Sequence, residues 1–342
     1  MRIIDTPIAP IAPRPPRVLH AMSIFVRACL FVACSLVALP ALSQTYPTRP
    51  IRLIVGFAPG GAADILGRIT AQGLSEAIGE QVVVDNRPGA GALIATEIAA
   101  RATPDGHTLL FTSPPHAINA ALYRRAKYDP IKDFDPVIQV VATALILTVN
   151  AGAPFKTVGE LVRYAKSNPG KLSYGSGGSG ASGHLAMELF KSVTGADIVH
   201  VPYKGTGPAI TDLIGGQIHT TIASAAPTLP QVKAGKLRAL AVTSNKRSLA
   251  LPEVPTVAES GFPAYEVTQW FGILAPAGVP KPVIQRINTA MNEALRKNEV
   301  RSRYLASSAE PVGGSPDVLR TVIAQEVPKW GKLVRALDLK AD

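Results

Sequence analysis

At 342 residues the chain has length for about two domains, and 47% hydrophobic against 17% charged residues supplies ample material for buried cores. The formal net charge is +11, but the basic residues are scattered and aromatics make up only 6%, which argues against the focused basic stripe of a nucleic-acid binder. A mild positive field that favours acidic solutes is the reading left.

Residues 1–43 stand apart. A charged start at Met22 to Arg27 leads into an apolar run over 28–42, with small Ala41 and Ser43 before Gln44. That order is a cleavable secretory signal, with the cut expected after Ser43 and the periplasm as destination. The run is short for a membrane span. Five prolines crowd residues 1–21 ahead of it, so the expected true start is Met22. Both cysteines, Cys29 and Cys34, fall inside this signal, which leaves the remainder without disulfides or thiol chemistry. Phe31 stands where a lipid-anchor motif wants leucine, so Cys34 is not read as acylated. Four arginines against one aspartate leave with the signal, taking +3 and leaving +8.

Beyond the signal the pattern alternates. Strands are expected over 51–57, 82–85 and 108–112, and helices over 62–78 and 92–102. A long β-branched stretch over 137–149 looks able to leave one domain and enter another. The alternation then restarts, with strands over 172–174, 198–202, 218–222 and 237–243. Helices over 158–167, 184–194, 208–214 and 229–234 separate them. After a proline-rich segment over 251–263, a returning strand is expected over 265–275 and an amphipathic helix over 281–297. Short apolar runs between amphipathic helices predict a two-lobed α/β protein, each lobe a mostly parallel sheet flanked by helices. Residues 44–144 with 265–342 form the first expected lobe and 145–264 the second. Open α/β sheets bind ligands beyond the carboxyl ends of their strands, so a cleft between the lobes is the expected site.

Three turns carry the chemistry. Gly56-Phe-Ala-Pro-Gly-Gly61 follows a strand and opens a helix, which leaves backbone N–H groups facing outward as an anion site. Asn86-Arg-Pro-Gly-Ala-Gly91 and Tyr174-Gly-Ser-Gly-Gly-Ser-Gly180 repeat the arrangement. The last turn matches G-x-G-x-x-G, and three readings stay open there: a dinucleotide site, a plain tight turn, or a carboxylate cradle. Its serines also approach the nucleophile elbow of a serine hydrolase through Ser179 or Ser182, but Ala181 replaces the final glycine and no base and acid follow in the required order. His184 and Glu188 share a helix face without a third metal ligand and read as a surface pair; His107, His116 and His219 read as loop or surface residues. Asp64 is either a helix cap or a brace for the turn before it. Lys204 is either an ion-pair partner for a ligand or a solvated loop lysine, and Trp270 and Phe271 read as core. No metal and no cofactor is expected.

Together Phe57-Ala-Pro-Gly-Gly-Ala-Ala-Asp64, Asn86-Arg-Pro-Gly-Ala-Gly91, Pro104-Asp-Gly-His-Thr-Leu-Leu110, Tyr128-Asp-Pro130 and Phe134-Asp-Pro-Val137 resemble one family. So do the turn at Tyr174, His200-Val-Pro-Tyr-Lys-Gly205 and Leu251-Pro-Glu-Val-Pro-Thr-Val-Ala-Glu-Ser-Gly261. The family is the Bug proteins, periplasmic solute receptors of tripartite tricarboxylate transporters. The resemblance implies a receptor, not an enzyme, that closes on a small carboxylate or dicarboxylate and delivers it to membrane permease subunits, as a monomer. A periplasmic sensor for a signalling system is the alternative. It also implies that main-chain and hydroxyl groups of both lobes, with ordered waters, grip the ligand. The implied residues are Phe57, Ala58, Gly60, Gly61, Ala62, Asp64 and Ser113 from the first lobe. From the second come Ser176, Gly177, Ser179, Gly180, Ala181, Ser182, Tyr203 and Lys204. Ala62 and Ala63 depart from the hydroxyl-bearing pair common in the family, which removes one side-chain donor.

Overall fold

A computed structural model describes residues 46–248 and 250–341; the signal segment, its cleavage point and the start at Met22 lie outside the described residues. Among the described residues ten strands form one mixed sheet. In chain order these are β1 (Ile51–Val55), β2 (Val82–Asn86), β3 (Thr108–Thr112), β4 (Phe134–Asn150) and β5 (Ser173–Ser176). β6 (Val199–Pro202), β7 (Thr220–Ser224), β8 (Leu237–Val242), β9 (Thr268–Pro276) and β10 (Ala309–Pro311) follow. The main path runs β2-β1-β3-β9-β4-β7-β5-β6, with β8 and β10 also on β4. β1 pairs in parallel with β2 and β3, and β5 in parallel with β6 and β7. β4 and β9 run antiparallel between these two trios. The result is the two-lobed α/β architecture the alternation predicts.

The 17-residue β4 explains the join. Its first part, through Ala144, pairs with β9 and β10; from Leu145 onward it pairs with β7 and β8. One strand therefore belongs to both halves, and residues from Tyr46 onward hold together as a single compact unit.

Helices cover both faces of the first half. They are α1 (Ala62–Ile78), α2 (Leu93–Ala100), α8 (Lys281–Arg296), α9 (Asn298–Ala306) and α10 (Pro316–Ala336), while α3 (Pro115–Leu122) buries Ala117, Ile118 and Leu122 in the core of the second half. Strand alternation sorts the core: Leu53, Val55, Leu109, Phe111, Phe271 and Ile273 pack with α1, α8 and α9. Ile54, Leu110, Trp270 and Leu274 point the other way, onto Ala95 and Ala99 of α2 and Leu319 and Ile323 of α10. The second half adds α4 (Val158–Ser167), α5 (Ser182–Thr194), α6 (Thr206–Ile214) and α7 (Ala225–Lys233). Trp330 and Val334 near the end of α10 reach the core of this half, beside Tyr174 and Leu185. α10 thus straps the two halves together. Among the described residues no helix is long and apolar enough to cross a membrane.

Several starts are written locally. Thr157 Oγ1 accepts the Glu160 N–H at 3.2 Å, and the Glu160 carboxylate accepts the Lys156 N–H at 2.6 Å, which closes the first turn of α4. A Thr157→Ala variant is expected to lose about 1 kcal/mol of stability, read as a lower urea midpoint with unchanged slope. Sequence patterning named no element at α3, α9, β10 or α10. α3 lies between two prolines and tyrosine, and Pro115 occupies its first turn, where no N–H is needed. α9 follows α8 directly because Lys297 adopts extended backbone and interrupts an otherwise continuous helix.

Candidate functional site

The turns and strand ends of the two halves meet around one narrow cavity that is continuous with solvent. Its floor is sheet: Leu145 of β4, Ile222 to Ser224 of β7, and Gln269 and Phe271 of β9. Alternation puts Gln269 and Phe271 on this side of β9 while Trp270 turns into the core behind. Its roof is turn and helix start: Phe57, Ala62, Ala63, Ser113, Gly177, Ala181, Ser182, Gly183 and Thr206. None of these lining residues carries a formal charge.

The cavity wall instead gathers helix N-termini. Ala62 and Ala63 begin α1, Ser182 and Gly183 begin α5, Thr206 begins α6, and Ser224 is the N-cap of α7. First-turn N–H groups have no acceptor within their own helix, and each such start carries the positive end of the helix dipole. Four of them converge on one uncharged cavity. The Ser182 hydroxyl is buried there with no protein partner, and a buried polar atom of that kind is commonly satisfied by something bound.

The structure brings Phe57, Ala62, Ser113, Gly177, Ala181 and Ser182 of the expected residues to the cavity wall. The others lie behind it or serve it indirectly. The Ala58 N–H donates to the Lys204 carbonyl at 3.1 Å, tying the first turn to the second half through main chain. The Lys204 side chain is exposed and lines nothing in the cavity. The Gly60 N–H donates to Asp64 Oδ2 at 3.0 Å, and Asp64 pairs with Arg68 at 2.9 Å. Asp64 is therefore a brace for its turn. Burial pushes its carboxyl up, but hydrogen bonds from Arg68, the Gly60 N–H and Asn86, with the Arg68 charge, outweigh this and hold it below the usual range. Tyr203 donates to Asp212 at 2.6 Å, away from the cavity. Gly61 comes close to Thr206, and Ser179 receives the Tyr123 hydroxyl on its carbonyl at 3.0 Å.

The turn before α5 is held from below. The Gly178 N–H donates to Ser176 Oγ, the Gly180 N–H to His184 Nδ1 at 3.1 Å, and the Ala181 N–H to the Gly178 carbonyl. These amides, like those of Ala58 and Gly60, are engaged inside the protein; the N–H groups left for a ligand belong to the helix starts. His184 is not the surface residue the sequence implied. It stacks on His200 at 4.3 Å, and His200 in turn stacks on Tyr174 at 4.8 Å. Desolvation lowers the His184 pKa to about 4, helped by Lys191, and lowers that of His200 to about 3, helped by the His184 charge. Glu188 accepts the Tyr174 hydroxyl at 2.7 Å and pairs with Lys191. His116 is likewise no surface residue: it is fully buried, its Nε2 2.8 Å from the Pro130 carbonyl, and His107 is buried against Tyr46. His219 does lie exposed, beside Ser173.

Hydrolytic chemistry finds little here. Ser176 Oγ sits 2.7 Å from His200 Nε2, but Ser176 is fully buried beneath its own turn, out of a substrate's reach. Ser182 and Ser179 have no histidine as partner. Among the described residues no group of three or more acidic, histidine or cysteine side chains could hold a metal.

The turn 86–91, read from the sequence as a further anion-friendly helix start, lines no part of the cavity; Gly91 packs against the Ser179 carbonyl. Sequence reasoning missed Thr206, Ser224 and Gln269. Their signal was faint, a polar residue at the end of an apolar strand or the start of a helix.

A two-lobed α/β fold with a ligand cavity between strand ends defines a binding protein of the periplasmic type. Known proteins agree. Residues 66–339 match the tripartite tricarboxylate transporter family receptor, TctC. Protein BugT of Bordetella pertussis is 38% identical over 313 residues, covering 91% of this chain and 96% of that protein. Among solved structures, R. palustris Rpa4515 with adipate superposes with a TM-score of 0.83 at 38% identity, covering 86% of this chain and 99% of that one. The periplasmic binding protein BugD gives the same TM-score at 35% identity, with the same coverage. The chain belongs to the TctC family of tripartite tricarboxylate transporter receptors, as the resemblance to Bug proteins implied.

Proposed function

We propose that this protein is a periplasmic receptor that captures a small carboxylate or dicarboxylate and hands it to the permease subunits of a tripartite tricarboxylate transporter. The carrying observation is the convergence of four helix N-termini on a cavity without charged lining. Each helix start contributes about 0.3–1 kcal/mol toward an anion, more when partly buried, and N–H bonds to a carboxylate are stronger than neutral ones. Binding of this kind needs no general base, in keeping with a receptor that performs no catalysis. Adipate in the related R. palustris protein is the same class of solute. The expected lobe boundaries, 44–144 with 265–342 and 145–264, fit the change of β4 partners at Leu145. The segment 1–43 directs export and is removed after Ser43, and the receptor works as a monomer.

Calorimetric titration of the purified protein with straight-chain acids tests this reading. At least one acid is expected to bind, and a Ser182→Ala variant to bind it about tenfold or more weaker, since the hydroxyl donates to an ionised group. Failure of every acid to bind would remove the proposal.

A further inference from the structure

We propose that Asn86 is a positioning residue for solute capture. It aims the Ala58 N–H at the second half and so ties two turns of the cavity wall together. The inference rests on the receptor reading above. Asn86 ends β2 in register with Val55 at the end of β1, so it stands beside the turn that leaves β1. Its side-chain amide donates to the Phe57 carbonyl at 2.9 Å. The same peptide unit carries the Ala58 N–H, which donates to the Lys204 carbonyl of the second half at 3.1 Å. The carbonyl and N–H of a trans peptide point in opposite directions, so fixing one aims the other. A first-half side chain thus holds the peptide that reaches across the boundary.

Asn86 is itself oriented. Arg68 donates to Asn86 Oδ1 at 3.4 Å, which leaves the NH2 for Phe57. Arg68 pairs with Asp64 at 2.9 Å, and Asp64 Oδ2 accepts the Gly60 N–H at 3.0 Å. A chain of bonds therefore closes round the turn from Phe57 to Gly60. Across the boundary, main chain lies on main chain. An added Cβ at Gly205 would fall 3.3 Å from the Ala58 nitrogen, and one at Gly207 3.3 Å from the Gly60 carbonyl carbon. The tied turn leads into α6, whose first residue, Thr206, lines the cavity with Phe57. Asn86 lines no part of that cavity, yet it governs how Phe57 and Thr206 are spaced. The turn at 86–91 serves the site through this amide.

Surface plasmon resonance on immobilised protein, with the tightest-binding of the straight-chain acids titrated above, separates association from release. Asn86→Ala is expected to speed release about tenfold and to change association less than about twofold. Asn86→Asp fills the same space and still meets Arg68, but it has no N–H to donate. It should release the acid as fast as Asn86→Ala. Hydrogen exchange resolved by residue supplies a signal that general destabilisation does not give. Ala58 should exchange about tenfold faster in both variants, while Ile51 to Val55 keep their wild-type protection. Gly207→Ala suits α6 better than glycine but presses on Gly60, so it should speed release without lowering the urea midpoint. If Asn86→Ala proves unfolded by circular dichroism, the other two variants decide. Wild-type release from Asn86→Asp or Gly207→Ala, or exchange that rises equally along β1, overturns the assignment. A wild type that binds no acid overturns the receptor reading itself, while Ala58 exchange still tests the tie.

Discussion

Replacing Gly180 with alanine is expected to weaken solute binding about 10- to 100-fold, although Gly180 itself lines no part of the cavity. Gly180 has φ 81°, and a Cβ there would lie 2.0 Å from Asn119 Oδ1 on α3. Gly91 is packed as closely, an added Cβ falling 2.1 Å from the Ser179 carbonyl. Asn119 holds that side in place by donating to the Gly91 carbonyl at 2.8 Å. The turn before α5 and α3 thus form a tight junction, with Ala117, Ile118 and Leu122 of α3 buried in the same core as Leu185 of α5. Overpacking of this kind costs about 1–3 kcal/mol, and displacement of the turn shifts the α5 start that carries Ser182 at the cavity, lowering apparent affinity by the fraction of molecules that keep the binding geometry. The left-handed backbone adds its own cost. Gly216→Ala controls for it, because Gly216 has φ 73° with nothing within 4 Å of an added Cβ. It should lower stability by about 1 kcal/mol and leave titration curves unchanged. Equal affinity for Gly180→Ala and wild type would show that this junction does not govern capture.

The second large effect is acid lability. His116 and His184 titrate at about 4 and His200 at about 3, each lowered chiefly by burial. An unfolded histidine titrates near 6.5. Between these values the unfolded chain binds protons that the folded chain refuses, so stability falls as pH drops below about 6.5. It keeps falling until the folded rings themselves protonate. The slope approaches about 1.4 kcal/mol per pH unit for each ring, so two units below neutrality remove several kcal/mol, a large share of an ordinary domain's stability. Asp64, Asp85 and Asp105, whose carboxyls are held below the usual range, extend the loss at still lower pH. Urea unfolding from pH 7.5 to 4.5 should show a plateau above about 7 and a steep decline beneath it. His184→Asn and His116→Asn should each flatten that decline. A stability constant down to pH 4.5 would contradict the burial of neutral rings.

Much of the scaffold was legible in the chain. The 62–78 and 158–167 helices carry apolar residues at helical spacing and end where glycine or Asn168 stops them, so their bounds coincide with α1 and α4. β3 reads as uninterrupted apolar sequence because both its faces are covered. α10 was not legible: Pro328 and Gly331 break its pattern, and its buried residues are shared between two cores. The site divided in the same way. Glycine turns announce helix starts, so Phe57, Ala62 and Ser182 could be found. Their hydrogen bonding could not, because His184, a distant acceptor in no obvious motif, takes the Gly180 amide. Gln269 and Ser224 are 45 residues apart and meet only because β7 and β9 flank β4.

A cavity that attracts its anion with dipoles, and without lysine or arginine, has a consequence for where the protein can work. Free ions weaken exposed charge pairs strongly but reach enclosed donors far less. Scavenging by this receptor should therefore proceed about equally well in fresh and in saline surroundings, a useful trait in a compartment whose salinity follows the environment.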